Sequence, residues 1–479
     1  MLERLRRRFR FAELGTDFRR ETLGGLTTFV TMAYIVVVNP AILVAAGIPA
    51  SASAVATILV AGCGTILMGL VANRPIGVAP YMGGNAFLAF GVAALGIGWR
   101  LRIGAVFLSG IFFLFITLLG VRAWLANSIS QSMKRAFAVG IGLFLCFIGF
   151  NETGIVKSPV VGAAVGSLFP GVQAATIDAA ARVPAGAVPV PVGIGAVTRG
   201  PTLVAVLGVL FTGALMVRRV RGALLLGILG TAAAGVAFGY AAAPEGIVAW
   251  PRFSGPGGLG EIAGQLAFSE TRPDGGVASL FSLSMLPVLL TLFLMDFLDT
   301  VGTLVGVGAA GNLLDEKGNL PEIHKPMLVD AMACIGAGLL GTTTSGAYVE
   351  SAAGIREGAR SGFAAVVTGA LFLCCLFFTP LASSLSSLGF AYGPALIVVG
   401  AVMIPAVKGI DFDDMTELLP AFLTIVLMVF TYNTANGLTA GLAVYPLFKV
   451  AAGRRREVNS GMWLLSALCL AYFVVGIVH

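Results

Sequence analysis

The stretch GTTTSGAYVESAAGIREG, residues 341–358, places a Gly- and Thr-rich start and a short helical end inside an otherwise apolar part of the chain. A similar stretch, RPIGVAPYMGGNAFLAF, occupies residues 74–90. We interpret each as extended backbone that runs into a short helix. Such backbone leaves N–H and C=O groups outside the helical ladder, so at membrane depth it is tolerated only where it is buried in protein or lines a cavity.

The composition is that of an integral membrane protein. Of the 479 residues, 57% are hydrophobic and only 11% are charged, and the mean hydropathy is +0.95. A helix that spans a bilayer needs about 20 mainly apolar residues, and such runs recur along nearly the whole chain. We therefore expect an all-α polytopic membrane protein without a sizeable soluble domain.

The two interrupted stretches lie at corresponding positions, as the third segment of each half of the chain. Interrupted hydrophobic segments in corresponding positions of two halves point to the binding site of a transporter. The 64 Gly and 22 Pro residues also favour close helix packing and broken helices. The six cysteines fall in apolar segments without metal-type spacing, so we expect neither disulfides nor a metal site.

Basic residues indicate the orientation. RLRRRFR at residues 4–10 and the pair Arg19 and Arg20 precede the first apolar segment, and cationic flanks mark the cytoplasmic side. We expect a cytoplasmic N-terminus, no cleavable signal peptide, and the inner or plasma membrane as the location. Because the net charge of +7 comes from connectors between apolar segments, membrane lipid is the expected neighbour and nucleic acid is not an expected partner.

The number of segments depends on residues 417–451. If they form one broken helix, the last apolar run is the fourteenth segment. If they form two separate spans, GRRRE at 453–457 becomes cytoplasmic and the last run is a fifteenth. Our expectation is about fourteen segments.

Three acids lie deep in apolar context: Asp296 and Asp299 in FLMDFLDTVGTL (293–304), and Glu350. Even on lenient insertion scales each costs about 2.5–3.5 kcal/mol at a helix centre, so a function is expected. Asp296, Asp299 and Gly302 are spaced three apart and share a helix face. We expect Asp299 to face the ligand and Asp296 to support it or pack against a neighbouring helix.

Glu350 and Asn85 begin the short helices of the two interrupted stretches. The N-terminus of a helix offers free N–H groups and the positive end of its dipole, so Glu350 is expected either to cap its helix or to bind a ligand. Asn85 offers a donor and an acceptor. Together these groups suit a compact ligand with N–H donors and ring-nitrogen or carbonyl acceptors, such as a nucleobase. Burial favours the neutral carboxyl group, so Asp299 or Glu350 could carry a proton for coupling, although sodium coupling stays open.

The quoted motifs, together with ETLGGLTTFVTMAYIVVVNPAIL (21–43) and the continuation of the second stretch to residue 369, resemble the AzgA-like purine permeases of the nucleobase cation symporter 2 family. The resemblance covers almost the full length. It implies fourteen segments in two inverted repeats of seven, with segments 3 and 10 each part extended strand and part short helix. It also implies a core domain from residues 1–130 and 279–390, and a gate domain from residues 131–278 and 391–479.

The resemblance implies import of adenine, guanine or hypoxanthine by proton symport, with the core moving against the gate. It assigns Asp299, Glu350 and Asn85 to the substrate site, and only the proton is expected in the place of a cofactor. The full set of expected substrate contacts is Asp299, Glu350, Asn85, Tyr81, Gly84, Ala347, Tyr348 and Gly302. Residues expected to support that set from behind are Asp296, Thr343, Thr344 and Ser351.

Some positions depart from the usual family pattern, so the resemblance leaves the choice of base open: Tyr81, Gly84 and Glu152. The alternatives are a uracil, xanthine or anion carrier of the same fold, with sodium as another coupling ion. An intramembrane aspartyl protease would need a GxGD-type motif, which the sequence lacks, so we expect no enzyme. A homodimer through the gate is the partner expected from similar proteins.

Overall fold

The computed structural model describes residues 2–92, 96–157, 192–244, 246–271, 276–282, 285–311, 313 and 320–477. These residues are mostly helical. The helices of the first half are α1 (Leu2–Arg8), α2 (Phe11–Leu14), α3 (Phe18–Met32), α4 (Ile35–Val44), α5 (Ala50–Leu67, continued by Met68–Ala72), α6 (Met82–Ala86, continued by Phe87–Gly91), α7 (Trp99–Leu118), α8 (Val121–Ser128), α9 (Gln131–Glu152), α10 (Gly200–Val217) and α11 (Ala223–Ala237).

The second half contains nine more described helices. They are α12 (Leu286–Ala310), α13 (His324–Leu340), α14 (Ser351–Arg356), α15 (Gly362–Cys374), α16 (Thr379–Ser386), α17 (Gly389–Met403), α18 (Met415–Phe430), α19 (Thr434–Ala451) and α20 (Ser460–Ile477). Short strands pair as β1 (Val78–Pro80) with β6 (Ser345–Ala347), β2 (Val156–Lys157) with β3 (Gly193–Ile194), and β4 (Ser269–Thr271) with β5 (Val277–Ser279).

The described part of the chain contains eight helices that are long and apolar enough to cross a membrane, and three shorter apolar helices. Several helices begin where a polar side chain accepts a backbone N–H, which satisfies an otherwise unpaired donor. Asp17 caps α3, Ser130 caps α9 and Asp414 caps α18 in this way. These observations confirm the sequence-based expectation of a helical multi-span protein.

The two interrupted stretches meet each other. Strand β1 pairs antiparallel with β6, with Val78 opposite Ala347 and Pro80 opposite Ser345. Each strand then leads into a short helix, α6 or α14. All six strand residues are buried. Pairing of the two strands therefore provides hydrogen-bond partners for backbone N–H and C=O groups that would otherwise be unsatisfied in a membrane interior.

Glycines bring some helices into backbone contact. The antiparallel helices α9 and α17, both in the predicted gate, touch at Gly142 with Gly400 and at Gly149 with Gly393. A Cβ atom added to Gly400 would lie 2.3 Å from the Gly142 carbonyl oxygen. A similar seam joins α5 and its continuation to α15 in the predicted core, through Gly62, Gly69, Gly362 and Gly369.

Of the two alternatives for residues 417–451, the structure contains two separate helices and not one broken helix. Helices α18 and α19 are separate and pack side by side as an antiparallel hairpin, in which Gly441 contacts Thr424 and the Tyr445 hydroxyl donates to Glu417. The chain reverses because Tyr432 adopts a left-handed φ of 51°, and Asn433 then caps α19. Helix α20 is consequently an additional apolar helix.

Candidate functional site

A cavity of about 400 Å³ lies between the predicted core and the predicted gate. This volume falls within the range of about 300–1,000 Å³ that is usual for small-molecule sites. Residues of the predicted core supply its polar wall: Thr31, Tyr34, Tyr81, Asp299, Thr303, Tyr348 and Glu350. Residues of the predicted gate supply an apolar wall: Ile141, Leu145, Met216, Val220, Val399, Val402 and Met403.

The crossing strands position two of the tyrosines. The Tyr348 backbone N–H donates to Gly77 O at 2.9 Å, and its hydroxyl donates to Pro80 O at 2.5 Å. The Tyr81 backbone N–H donates to Thr344 O at 3.2 Å. Both tyrosines are buried, so their rings form rigid walls against which a flat aromatic ligand can pack.

Glu350 faces the cavity and does not cap its helix. It occupies the residue before α14, but its side chain makes no capping hydrogen bond. The carboxylate oxygen Oε1 instead accepts a hydrogen bond from the Tyr34 hydroxyl at 2.7 Å. Of the two roles expected from the sequence, the geometry supports the ligand-facing one.

Asp299 lines the same cavity from α12. The acidic groups near enough to act on its charge are Asp330 and Glu350. Among the described residues that line the cavity, Arg356 is the only basic one. A concentration of carboxyl groups suits a ligand with N–H donors, whereas like charge repels an anion.

Asp296 points away from the cavity toward α13. The Cys334 sulfur lies 3.2 Å from Asp296 Oδ2 and 3.0 Å from Ser345 O, and its single S–H proton is directed at this pair of oxygens. A second buried acid, Asp330, lies on α13 and accepts from the Thr300 hydroxyl at 2.9 Å. These contacts join α12 to α13, and Asp296 is not among the residues that line the cavity.

Asn85 lies behind the cavity wall. Its amide donates to Asn39 Oδ1 at 3.0 Å, and the Asn39 amide in turn donates to the hydroxyls of Thr57 at 2.8 Å and Thr342 at 3.0 Å. This fully buried network joins α4, α5 and α6 to the chain that enters β6. Asn85 therefore positions α6, and Met82 and Gly83 of that helix line the cavity.

The other residues expected at the substrate site either line the cavity or lie away from its wall. Of the eight expected substrate contacts, five line the cavity: Asp299, Glu350, Tyr81, Ala347 and Tyr348. Gly84 lies behind Tyr81, where an added Cβ would come within 2.5 Å of Thr344 Oγ1 and 3.2 Å of the Tyr81 ring. Gly302 is exposed and is not part of the cavity wall.

The residues expected to give support from behind are buried. Ser351 Oγ accepts the Gly77 N–H at 2.9 Å, which links α14 to the chain entering β1. Thr343 and Thr344 are buried in the extended segment that directly precedes β6.

Sequence reasoning missed several cavity residues, among them Thr31, Tyr34 and Thr303, and the nearby Asp330. Thr303 follows Asp299 by one helical turn, so the helical period could have identified it. Asp330 lies within the apolar run MLVDAMACIG and carried the same signal as the three acids that were noticed. Tyr34 gave no local signal, because its role depends on Glu350, 316 positions away.

Further contacts join the predicted core to the predicted gate. Gly222 and Arg356 both line the cavity, and their chain neighbours Arg221 and Glu357 are in contact at 2.5 Å. Outside the cavity wall, Tyr432 packs edge-on against Phe90, with ring centroids 5.3 Å apart. Asn433 donates there to Gly91 O at 3.2 Å. The tip of the α18–α19 hairpin thus contacts the end of the segment that begins with β1 and α6.

Comparison with known proteins identifies the family. A family profile described as "Permease family" (Xan_ur_permease) matches residues 19–177 and 171–440. The chain is 39% identical over 477 residues to the guanine/hypoxanthine permease PbuG of Bacillus subtilis, covering 97% of this chain and 98% of that protein. It is 34% identical over 476 residues to the adenine permease AdeP of Escherichia coli, covering 99% of this chain and 96% of that protein.

Solved structures share the fold. The transmembrane domain of a cyanobacterium bicarbonate transporter, BicA, matches with a TM-score of 0.59 and 16% identity, over 89% of this chain and 98% of that chain. The murine anion transporter Slc26a9 in the inward-facing state matches with a TM-score of 0.57 and 12% identity, over 91% of this chain and 68% of that chain. At these identities the likeness concerns the fold alone. The chain is a multi-pass membrane transporter and not an enzyme, and it belongs to the Xan_ur_permease family of permeases.

Proposed function

We propose that this permease imports the purine bases adenine, guanine and hypoxanthine by proton symport. The observation that carries the proposal is the presence of Asp299, Glu350 and three tyrosines in one cavity of about 400 Å³. Carboxylates accept hydrogen bonds from purine N–H groups, hydroxyl groups serve ring nitrogens and carbonyls, and aromatic walls hold a flat ring. The names of the relatives PbuG and AdeP agree with this substrate class.

Two cavity-facing acids account for the coupling. Removal of a carboxylate from water favours its protonated form, and neighbouring negative charge acts in the same direction. Binding one proton at Asp299 or Glu350 reduces the repulsion between these acids and prepares the loaded carrier for reorientation. An apparent purine affinity that does not change with external pH would contradict this coupling.

The proposed architecture is two inverted repeats of seven segments, with α20 as an addition. The core consists of residues 1–130 and 279–390 and the gate of residues 131–278 and 391–479, and the core moves against the gate with the base held between them. The position of the cavity between these two sets of helices supports this division. A homodimer through the gate is part of the same proposal.

The basic end of the molecule is proposed to be cytoplasmic. Arg8 donates to Leu70 O at 2.5 Å, and Arg74 donates to Pro321 O at 2.6 Å. These contacts bring the N-terminal arginines and two connectors to one end, and cationic connectors are typical of the cytoplasmic face. The cavity reaches toward this end beside Arg356.

The test is uptake of labelled adenine, guanine, hypoxanthine and uracil by cells that lack their own nucleobase permeases. We expect saturable uptake of at least one purine, inhibition by a protonophore, and no change when sodium is replaced by choline. Preferred uptake of uracil would overturn the substrate class, and loss of uptake only on sodium removal would overturn the coupling. The anion-carrier alternative would be favoured by bicarbonate uptake without purine uptake.

A further inference from the structure

We propose that Tyr34 is a positioning residue for Glu350, and that it determines which ligand edge the site accepts. By donating to one carboxylate oxygen, Tyr34 leaves the other oxygen to meet the ligand. The inference rests on the proposed function, since it assumes that a nucleobase occupies this cavity.

The position of Tyr34 is fixed by the fold. It lies in the break between α3, which ends at Met32, and α4, which begins at Ile35. Its side chain is only 1% exposed, so the packed surroundings restrict rotation of the ring. The break therefore places the phenol at the cavity wall with a defined direction toward Glu350.

The hydrogen bond is of the strong type. The Tyr34 oxygen lies 2.7 Å from Glu350 Oε1, and a bond to an ionised acceptor is stronger than one between neutral groups. No other side chain among the described residues hydrogen-bonds to this carboxylate. Without Tyr34, rotation of the carboxylate would make its two oxygens equivalent. The hydrogen bond from Tyr34 makes them different.

This asymmetry fixes what the ligand meets in each protonation state. When Glu350 is ionised, Oε2 accepts a hydrogen bond from a ligand N–H. When Glu350 is neutral and Tyr34 keeps donating to Oε1, the carboxyl proton lies on Oε2. The same position then becomes a donor and selects a ring nitrogen or carbonyl of the ligand. Protonation therefore changes ligand preference at one defined atom.

The chain offers a matched control. In the gate, the Tyr392 hydroxyl donates to Glu152 Oε2 at 2.6 Å, and neither residue lines the cavity. Tyr34→Phe and Tyr392→Phe remove the same atom from a buried tyrosine that donates to a glutamate. Only the first changes the orientation of a carboxylate that faces the ligand.

The experiment measures initial uptake of labelled adenine against concentration for the wild type, Tyr34→Phe, Tyr392→Phe and Glu350→Ala, with hypoxanthine as the substrate if adenine is not carried. Inhibition by 1-, 3- and 7-deaza analogues, in which one ring nitrogen becomes C–H, is measured in parallel. We expect Tyr34→Phe to raise KM about tenfold, equivalent to about 1.4 kcal/mol, with Vmax within about twofold. KM does not depend on the amount of protein, so lower expression alone cannot mimic this result.

The analogue pattern separates positioning from general damage. In the wild type, one deaza analogue is expected to inhibit about tenfold more weakly than adenine, and Tyr34→Phe should reduce that difference to within about twofold. Tyr392→Phe should keep the wild-type KM and pattern. If Glu350→Ala abolishes uptake while Tyr34→Phe keeps the wild-type KM and pattern, the Tyr34 inference fails alone. If Glu350→Ala also leaves uptake unchanged, the proposed substrate site fails.

Discussion

Replacing Gly400 by alanine tests whether the predicted gate is held together by direct backbone contact between α9 and α17. The new Cβ would lie 2.3 Å from Gly142 O and 2.8 Å from Cys146 Cβ, whereas ordinary contact begins at 3.4 Å. The nearest atom belongs to the backbone, so no rotation of a side chain relieves the clash. The two helices must move apart by about 1 Å.

The loss in free energy of unfolding for Gly400→Ala can be estimated from overpacking in other tightly packed protein interiors. Forcing an extra methyl group into a well-packed interface costs about 1–3 kcal/mol. Replacing glycine by alanine within a helix also gains about 1 kcal/mol of helix propensity. Gly213→Ala on α10 is a matched control, because a Cβ there meets nothing within 4 Å. The difference between the two variants therefore isolates the packing strain, about 1–3 kcal/mol.

The assay is thermal unfolding of the two purified variants in the same detergent. We expect Gly213→Ala to unfold at or above the wild-type midpoint and Gly400→Ala to unfold clearly below Gly213→Ala. Equal midpoints for the two variants would refute the close contact between α9 and α17.

Two further predictions concern charged groups at the end of the α18–α19 hairpin. Lys449→Met should lower the free energy of unfolding by about 3 kcal/mol, because this lysine is buried and lies within 4 Å of Asp414, Glu417 and Glu457. Glu457→Gln, at a side chain that is 46% exposed, should cost less than about 1 kcal/mol, and chemical denaturation in detergent compares the two. Hydrogen bonds from Thr416, together with nearby cations, hold the pKa of Asp414 well below its usual value. The ionised Asp414 carboxylate therefore stabilises the fold above about pH 4, and this stabilisation is lost as the pH falls further. Asp414→Asn should flatten the acid side of the curve of unfolding midpoint against pH, and an unchanged curve would contradict this assignment.

The interrupted segments could be predicted because their composition is incompatible with an uninterrupted helix. Gly, Thr and Pro at residues 74–80 and 341–347 indicate extended backbone within a membrane protein. The pairing of Val78 with Ala347 could not be derived in the same way. It depends on how two halves of the chain come together, and neither segment alone specifies the register.

The two aspartates of α12 show that helical spacing predicts only approximately which side chains share a helix face. A spacing of three residues leaves side chains about 60° apart around a helix. That angle is small enough to suggest one face, yet it separates Asp299 in the cavity wall from Asp296, which meets Cys334. Helical spacing alone did not separate the two aspartates, and the family resemblance also assigned Asp299 to the substrate site.

Other features depend on tertiary contacts that no local pattern encodes. The reversal between α18 and α19 places Tyr432 in a left-handed conformation that disfavours a bulky side chain. The sequence therefore left open whether residues 417–451 form one broken helix or two separate spans. Lys449 likewise became identifiable as a buried ion-pair centre only when Asp414 and Glu417 were seen beside it.

The most direct test of the central claim is adenine or hypoxanthine uptake by Asp299→Ala, Glu350→Ala and the control Glu152→Gln, each corrected for the amount of protein in the membrane. Asp299 and Glu350 line the cavity, whereas Glu152 is bonded to Tyr392 outside it. We predict that both cavity variants fall to the uptake of cells without the permease and that Glu152→Gln keeps saturable uptake. Saturable uptake with the wild-type KM in either cavity variant would contradict the account.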